Sequence, residues 1–344
     1  MPLTKRVALG AAIVLYATLP ALAQTKTCAN PNALGVSRVV EIDTTGGPGF
    51  GFQHYKAYDF LEPREVVLTF DDGPQKFHTE AVLAALAEQC TKAIFFSIGK
   101  MALGYPEILR KVAAEGQTIG THTWSHQNLR KKKTEAEAVD EIERGMSAVH
   151  RAVGGPIAPF FRFPELADSP ETLAYLQKRN VAMFSTDIDS FDFKFRNAEH
   201  TVKAVIERLE KNGKGIVLMH DIQPSTAKAV PTLLAELKKH GFKVVQMKAK
   251  APLATLPEFD AAIEVNVKGL SAPGNERPLN SVVRTVTDSG APATPSQSKL
   301  GGEPQATQGA APPTAPSTVT SAAAQPPSDA QAGEMKPKTW FWQK

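Results

Sequence analysis

Short runs of β-branched, aromatic and aliphatic residues alternate along the chain with longer stretches in which apolar residues recur every three to four positions. Val66-Val67-Leu68-Thr69-Phe70 reads as a buried strand, and it ends in Asp71-Asp72-Gly73-Pro74, where Gly-Pro forces a turn. Val82, Leu83 and Leu86 mark one face of a following helix, and Ala93 to Ser97 form the next apolar strand. Pro106 suits the first turn of a helix that faces inward through Ile108, Leu109 and Val112, with Gly116 at its C-terminal cap. Another strand ends near Gly120. Thr134 and Glu137 have the spacing of a capping box for a helix buried through Ala138, Ile142, Met146, Val149 and Val153. Strands at Pro159 to Phe163 and Val181 to Ser185 flank a helix from Pro170 to Arg179. Val202, Val205, Ile206 and Leu209 give the next helix face, Gly215 to Met219 a strand, Val230, Leu233, Leu234 and Leu237 a further helix, and Val244-Val245 the last strand. Such alternation predicts a parallel sheet with helices outside it. About seven strand–helix units predict an α/β fold, a distorted TIM-like (β/α) barrel whose polar groups gather at the strand C-termini.

The flanks read differently. Lys5 and Arg6 precede an apolar run from Val7 to Leu19 and then Ala21-Leu22-Ala23, the order of a secretory signal peptide over residues 1–23. At about 13 residues the run falls short of the ~20 that a membrane-spanning helix needs, so the expectation is an exported protein, periplasmic or secreted, with no transmembrane segment after cleavage. Residues 24–62, with Gly46-Gly47-Pro48-Gly49 and little periodicity, read as a loop-rich lead-in to the domain at 63–248. A C-terminal extension covers 249–271. From residue 272 to 344 Pro, Ala, Ser, Thr, Gln and Gly dominate, the composition of a disordered tail, broken at its end by Trp340 and Trp342, a candidate docking element. Two cysteines, Cys28 and Cys90, make a candidate disulfide in an oxidising compartment. The formal charge of +4 is modest, and the basic run Arg130-Lys131-Lys132-Lys133 reads as a solvated loop before a capped helix, so nothing points to nucleic acid. The oligomeric state is not legible.

Candidate chemistry sits at the strand ends. Asp71 and Asp72 repel each other, and a nearby cation favours both as carboxylates, one as ligand and one as base. An Asp-Asp-Gly surface turn is the plain alternative. His122 and His126, four apart in His122-Thr123-Trp124-Ser125-His126, reach one side of a helical turn and can share a metal. With Asp72 they offer two nitrogens and a carboxylate, leaving a position open for water as a catalytic zinc requires. The same donors also form the facial triad of non-haem iron oxygenases, although helix alternation and the neighbouring Asp71 argue against it. Other strand ends deliver Arg162, Asp187, Asp189, Asp192 and His220.

These motifs, in this order, resemble the polysaccharide deacetylases, the NodB homology domain of the carbohydrate esterase type, over roughly residues 63–248. Thr69-Phe70-Asp71-Asp72-Gly73-Pro74 is similar to the family's first motif, His122-Thr123-Trp124-Ser125-His126 to its second, and Leu218-Met219-His220 to its last. The resemblance implies a metal-dependent hydrolase that removes N-acetyl groups from a polysaccharide or oligosaccharide, a peptidoglycan or chitin-like N-acetylglucosamine polymer, and releases acetate. It implies Asp71 as general base, Asp72, His122 and His126 as ligands of Zn2+ or another divalent transition metal such as Co2+ or Ni2+, and His220 as general acid. Arg162 matches the arginine that pairs with the base. Leu218 and Phe193 match the substrate pocket, and the backbone of Glu165 the oxyanion position. Two residues depart from the pattern: Glu165 stands where Tyr is usual, and Phe193 replaces Trp. Either Asp189 or Asp192 orients His220. The alternatives are an O-deacetylase of xylan or exopolysaccharide, and a non-catalytic glycan-binding wall protein.

Overall fold

A computed structural model describes residues 28–132 and 134–271. The expected signal peptide, the tail, Trp340 and Trp342 lie outside them. In chain order the elements are β1 (Arg38–Ile42), β2 (Gly49–Phe50), β3 (Glu65–Asp71), α1 (His78–Glu88), β4 (Ile94–Ser97), α2 (Gly99–Gly104), α3 (Pro106–Ala114), β5 (Thr118–Thr121), α4 (Glu135–Val153), β6 (Phe160–Phe161), α5 (Pro170–Lys178), β7 (Ala182–Phe184), β8 (Ile188–Asp189), α6 (Ala198–Asn212), β9 (Gly215–His220), α7 (Pro224–Lys239), β10 (Lys243–Ala249) and α8 (Pro257–Ser271).

All strand pairs are parallel, and seven strands run β8-β9-β3-β4-β5-β6-β7, the predicted distorted barrel. β3 lies between β9 and β4 and is buried along its whole length. Strand alternation sorts its side chains. Val66, Leu68 and Phe70 join the layer beneath the helices, while Val67 joins an inner cluster with Ile94, Phe96, Phe160, Phe184 and Ile216. Thr69 and Asp71 share the inner parity of Val67, and so do Leu218 and His220 with Ile216 on β9. Asp71 therefore enters the barrel interior because of where the strand pattern places it.

The helix ends behave as their sequences suggest. Thr134 Oγ1 accepts the Glu137 N–H at 3.2 Å, and Gly154 closes α4 in the left-handed conformation. Pro106 opens α3, and Gly116 follows its C-terminus at φ 72°.

The lead-in is more structured than its sequence suggests. β1 pairs with β10 in register from Arg38↔Val245 to Ile42↔Ala249, and β2 pairs with β7. The Ser185 N–H donates to Phe50 O at 2.7 Å, the Gln53 N–H to Thr186 O at 3.1 Å, and the Phe52 N–H to Asp187 Oδ1 at 2.6 Å. Residues 49–53 thus line the seam between β7 and β8. Periodicity missed them because a two-residue strand has no period, and β1 exposes alternate positions at a sheet edge.

Cys28 and Cys90 form a disulfide, with their Cα atoms 5.8 Å apart, that ties the start of the lead-in to the end of α1. Replacing both cysteines with serine is expected to remove up to about 4 kcal/mol, the chain-entropy value for a loop of this size. An unchanged denaturation midpoint in the double variant would show that the bridge contributes nothing. No helix among the described residues is long and apolar enough to cross a membrane.

Candidate active site

Asp71 and His220 are register partners across β3 and β9, so neighbouring strands present a carboxylate and an imidazole at one mouth of the barrel. His122 follows β5 and Arg162 follows β6, each at the same end. Residues 122–126 are not the helical turn expected from the four-residue spacing. Thr123 and His126 take φ values of 64° and 59°, and the hairpin-like turn folds both rings inward, 5.0 Å apart. α4 holds this turn: Trp124 N–H donates to Glu141 O at 2.7 Å, and the Ser125 N–H and Oγ donate to the Glu141 carboxylate at 2.9 and 2.7 Å. The turn lies so close to α4 that a Cβ on Gly145 would stand 2.5 Å from the Thr123 carbonyl carbon.

Asp72, His122 and His126 bring their ligand atoms within 4.8 Å of one another. His122 Nε2 lies 3.6 Å and His126 Nε2 3.3 Å from Asp72 Oδ1. That oxygen is buried and has no hydrogen-bond partner among the described residues, which a cation would supply. His122 Nδ1 donates to Arg162 O at 2.7 Å, so Nε2 keeps its lone pair toward Asp72. Burial pushes the His122 pKa down against the pull of Asp71 and Asp72, favouring the neutral ligand form. The donor set fits a divalent transition metal.

Asp71, 2% exposed, faces Arg162, which is fully buried. Arg162 Nη1 donates to Asp71 Oδ1 at 2.8 Å and to Thr69 Oγ1 at 2.6 Å, and Nη2 donates to Ser185 O at 2.8 Å. Its guanidinium also lies 4.4 Å from the Phe96 ring centroid. A charge this deeply buried needs all these partners. On the other side, His220 bonds to Asp192 and not to Asp189: Asp192 Oδ1 accepts from His220 Nδ1 at 2.7 Å, and Oδ2 accepts from the His220 N–H and from Thr226 Oγ1. Burial raises the Asp192 pKa, but these bonds outweigh it and the carboxyl lies below its ordinary value. For His220, burial works downward, yet Asp192, with help from Asp71 and Asp72, pushes the pKa up to about 9. Asp189 instead accepts the Phe191 N–H at 2.8 Å, and burial raises its pKa.

A cavity of about 440 Å³ joins Asp71, Asp72, His122, His126 and His220, and Glu165, Leu218, Phe193 and Asp189 line its wall. The Phe193 ring stands edge-on to His220, 5.5 Å between centroids. Glu165 takes φ 57° and its carboxylate accepts from Asn128 Nδ2 at 2.6 Å. Asp187 does not join the cavity; it accepts backbone N–H groups from Phe52 and Ile216. Arg130 pairs with Asp168 and Lys132 with Glu141, so part of the basic run is engaged locally.

Sequence reasoning passed over Asp221. Fully buried, it accepts the Gly73 N–H at 3.0 Å and Thr79 Oγ1 at 2.6 Å, fixing the turn that carries Asp72. A Cβ on Gly73 would come within 2.1 Å of its carboxylate, so only glycine fits there. Burial chiefly raises the Asp221 pKa to about 7, with the Asp72 charge adding to it against the Thr79 bond. The available signal was a second polar residue at the end of an apolar strand.

A family model described as polysaccharide deacetylase matches residues 61–184. A peptidoglycan-N-acetylglucosamine deacetylase of Bacillus cereus is 30% identical over 207 residues, covering 58% of this chain and 73% of that protein. A solved peptidoglycan deacetylase structure from Bdellovibrio bacteriovorus superposes with a TM-score of 0.58 at 34% identity, covering 65% of this chain and 62% of that one. The chain therefore belongs to the polysaccharide deacetylase family. It is also 31% identical to the peptidoglycan-N-acetylglucosamine deacetylase of Listeria monocytogenes over 185 residues, but spans only 38% of that protein's length.

Proposed function

We propose that the protein is an exported, metal-dependent deacetylase that hydrolyses N-acetyl groups on an N-acetylglucosamine glycan of the peptidoglycan or chitin type, releasing acetate. The observation that carries this reading is the meeting, in one cavity, of the Asp72–His122–His126 cluster with an Arg162-paired Asp71 and an Asp192-paired His220. The disulfide and the cell-wall relatives support a location outside the cytoplasm.

Asp72, His122 and His126 would hold a divalent ion such as zinc, which would supply Lewis-acid polarisation of the acetyl carbonyl and make a nearby water more acidic. Asp71 takes the proton of the attacking water. Arg162 keeps that carboxylate ionised and fixes its orientation. The backbone N–H of Glu165 is assigned to the developing oxyanion. As the carbon–nitrogen bond breaks, His220 Nε2 gives its proton to the departing amine, because an amine anion is a very poor leaving group, and Asp192 holds the imidazolium in place. Leu218 and Phe193 offer an apolar wall to the acetyl methyl.

Acetate release by the zinc-loaded protein from an N-acetylglucosamine oligomer and from acetylated xylan tests the reading. Release from xylan alone turns it toward O-deacetylation, and release from neither refutes it.

His220 gives the pH dependence a sign. Its acid form prevails below a pKa of about 9 and is lost above it, so kcat/KM should fall on the alkaline side. The positive charge of an ion at Asp72 would oppose proton binding by His220 and move that limb toward lower pH. Asp192→Asn removes the carboxylate that holds the proton and should move the limb to lower pH. A limb that stays put in this variant would mean another group controls it.

A further inference from the structure

Beside the reaction cavity lies a second one of about 520 Å³, and Gln53 lines both. Its walls come from Phe52, Tyr58, Asp59 and Phe60 of the lead-in, from Asn212 at the end of α6 and from Lys214 just before β9. None of these lead-in residues falls within residues 61–184, the stretch that matches the family model. The lead-in part of the cavity thus lies N-terminal to that matched stretch.

The segment is fastened at both ends. The Phe52 N–H and the Ile216 N–H share the Asp187 carboxylate, and Lys214 Nζ donates to Asp59 Oδ1 and Leu61 O, each at 2.6 Å. Between these anchors Tyr58 is 52% exposed, yet its ring packs 5.7 Å from that of Phe50, which is 4% exposed. Phe50 is itself gripped by Phe60 and Phe184. One side of the Tyr58 ring is thus backed by a fixed aromatic stack while the ring remains half open, and Phe52 beside it is 38% exposed. Ordered open aromatic surface with amide, carboxylate and ammonium groups around it suits a molecule with apolar C–H faces and a rim of hydroxyls. Lys214 is neutralised by Asp59, so the chemistry favours an uncharged ligand over a phosphate.

We propose that this cavity is a sugar subsite that takes an uncharged pyranose unit of the same glycan whose acetyl group occupies the reaction cavity, with Tyr58 and Phe52 as its stacking surfaces. The proposal rests on the glycan-deacetylase reading. The subsite lengthens the recognised stretch of glycan and adds to binding rather than to chemistry, so its contribution appears in KM and grows with chain length.

The test compares acetate release from N-acetylglucosamine di-, tetra- and pentasaccharides by the full zinc-loaded chain and by Tyr58→Ala, Phe52→Ala and Tyr58→Phe. Tyr58→Ala and Phe52→Ala are each expected to raise KM about 3- to 10-fold on the longer oligomers, the scale of one aromatic contact, with kcat and disaccharide turnover unchanged. Tyr58→Phe keeps the ring and should behave as the parent protein. Equal losses at every length, or no loss at any, overturn the proposal. Calorimetric titration of the tetrasaccharide and disaccharide keeps the two readings apart. If the parent chain releases no acetate but binds the tetrasaccharide more tightly, and Tyr58→Ala abolishes that advantage, the subsite stands and the catalytic reading falls. Affinity that does not depend on length, in a chain that does release acetate, overturns the subsite alone.

Discussion

Asp71→Asn is expected to lower turnover by about 10²- to 10⁴-fold, the usual worth of a general base, while leaving metal content unchanged. Asparagine keeps the size of the side chain and an oxygen for the Arg162 Nη1 bond now 2.8 Å long, but it cannot take a proton from water. The cluster of Asp72, His122 and His126 does not include Asp71, whose Oδ2 is 3.9 Å from His122 Nε2. Elemental analysis beside an acetate assay separates the outcomes. Loss of metal together with activity would make Asp71 a ligand instead of a base. Full activity would remove it from the mechanism.

Asp72→Ala, His122→Ala and His126→Ala are each expected to lose zinc and acetate release together, since two remaining ligands seldom hold a labile ion. Their environments rank them. The His122 side chain is buried and oriented by Arg162 O, whereas that of His126 is 37% exposed. Water can replace the His126 ring more easily, so excess zinc should restore part of the activity of His126→Ala and little of that of Asp72→Ala or His122→Ala. Full activity of any metal-free variant would refute the assignment, and so would zinc bound at parent level in Asp72→Ala.

The barrel was legible because its strands and helices are long enough to carry a period. Val66 to Phe70 and Ile216 to Met219 are buried runs between amphipathic helices, and parity alone then sets Asp71 and His220 facing inward. The cluster of Asp72, His122 and His126 was legible from residue type at strand ends, but the turn that forms it was not. The left-handed Thr123 and His126, and the support from Glu141 and Gly145, depend on how the following helix packs back on the turn. The choice of Asp192 over Asp189 likewise rests on a loop path that spacing does not encode. Asp221 stayed silent because a buried acid whose partners are a backbone N–H and a threonine leaves no pattern of its own.

The pairing of β1 with β10 has a consequence for how the chain reaches this shape. Arg38 meets Val245 and Ile42 meets Ala249, so the first strand of the sheet finds its only strand partner among the described residues more than two hundred residues later. Closing so large a loop is entropically costly and is rewarded only when the intervening barrel exists. A chain emerging N-terminus first, from a ribosome or across a membrane, therefore carries β1 unpaired until almost the whole described sequence has followed it. The last of the described strands to appear completes the edge that the first began, and the sheet's long-range pairing waits until residues 243–249 have emerged.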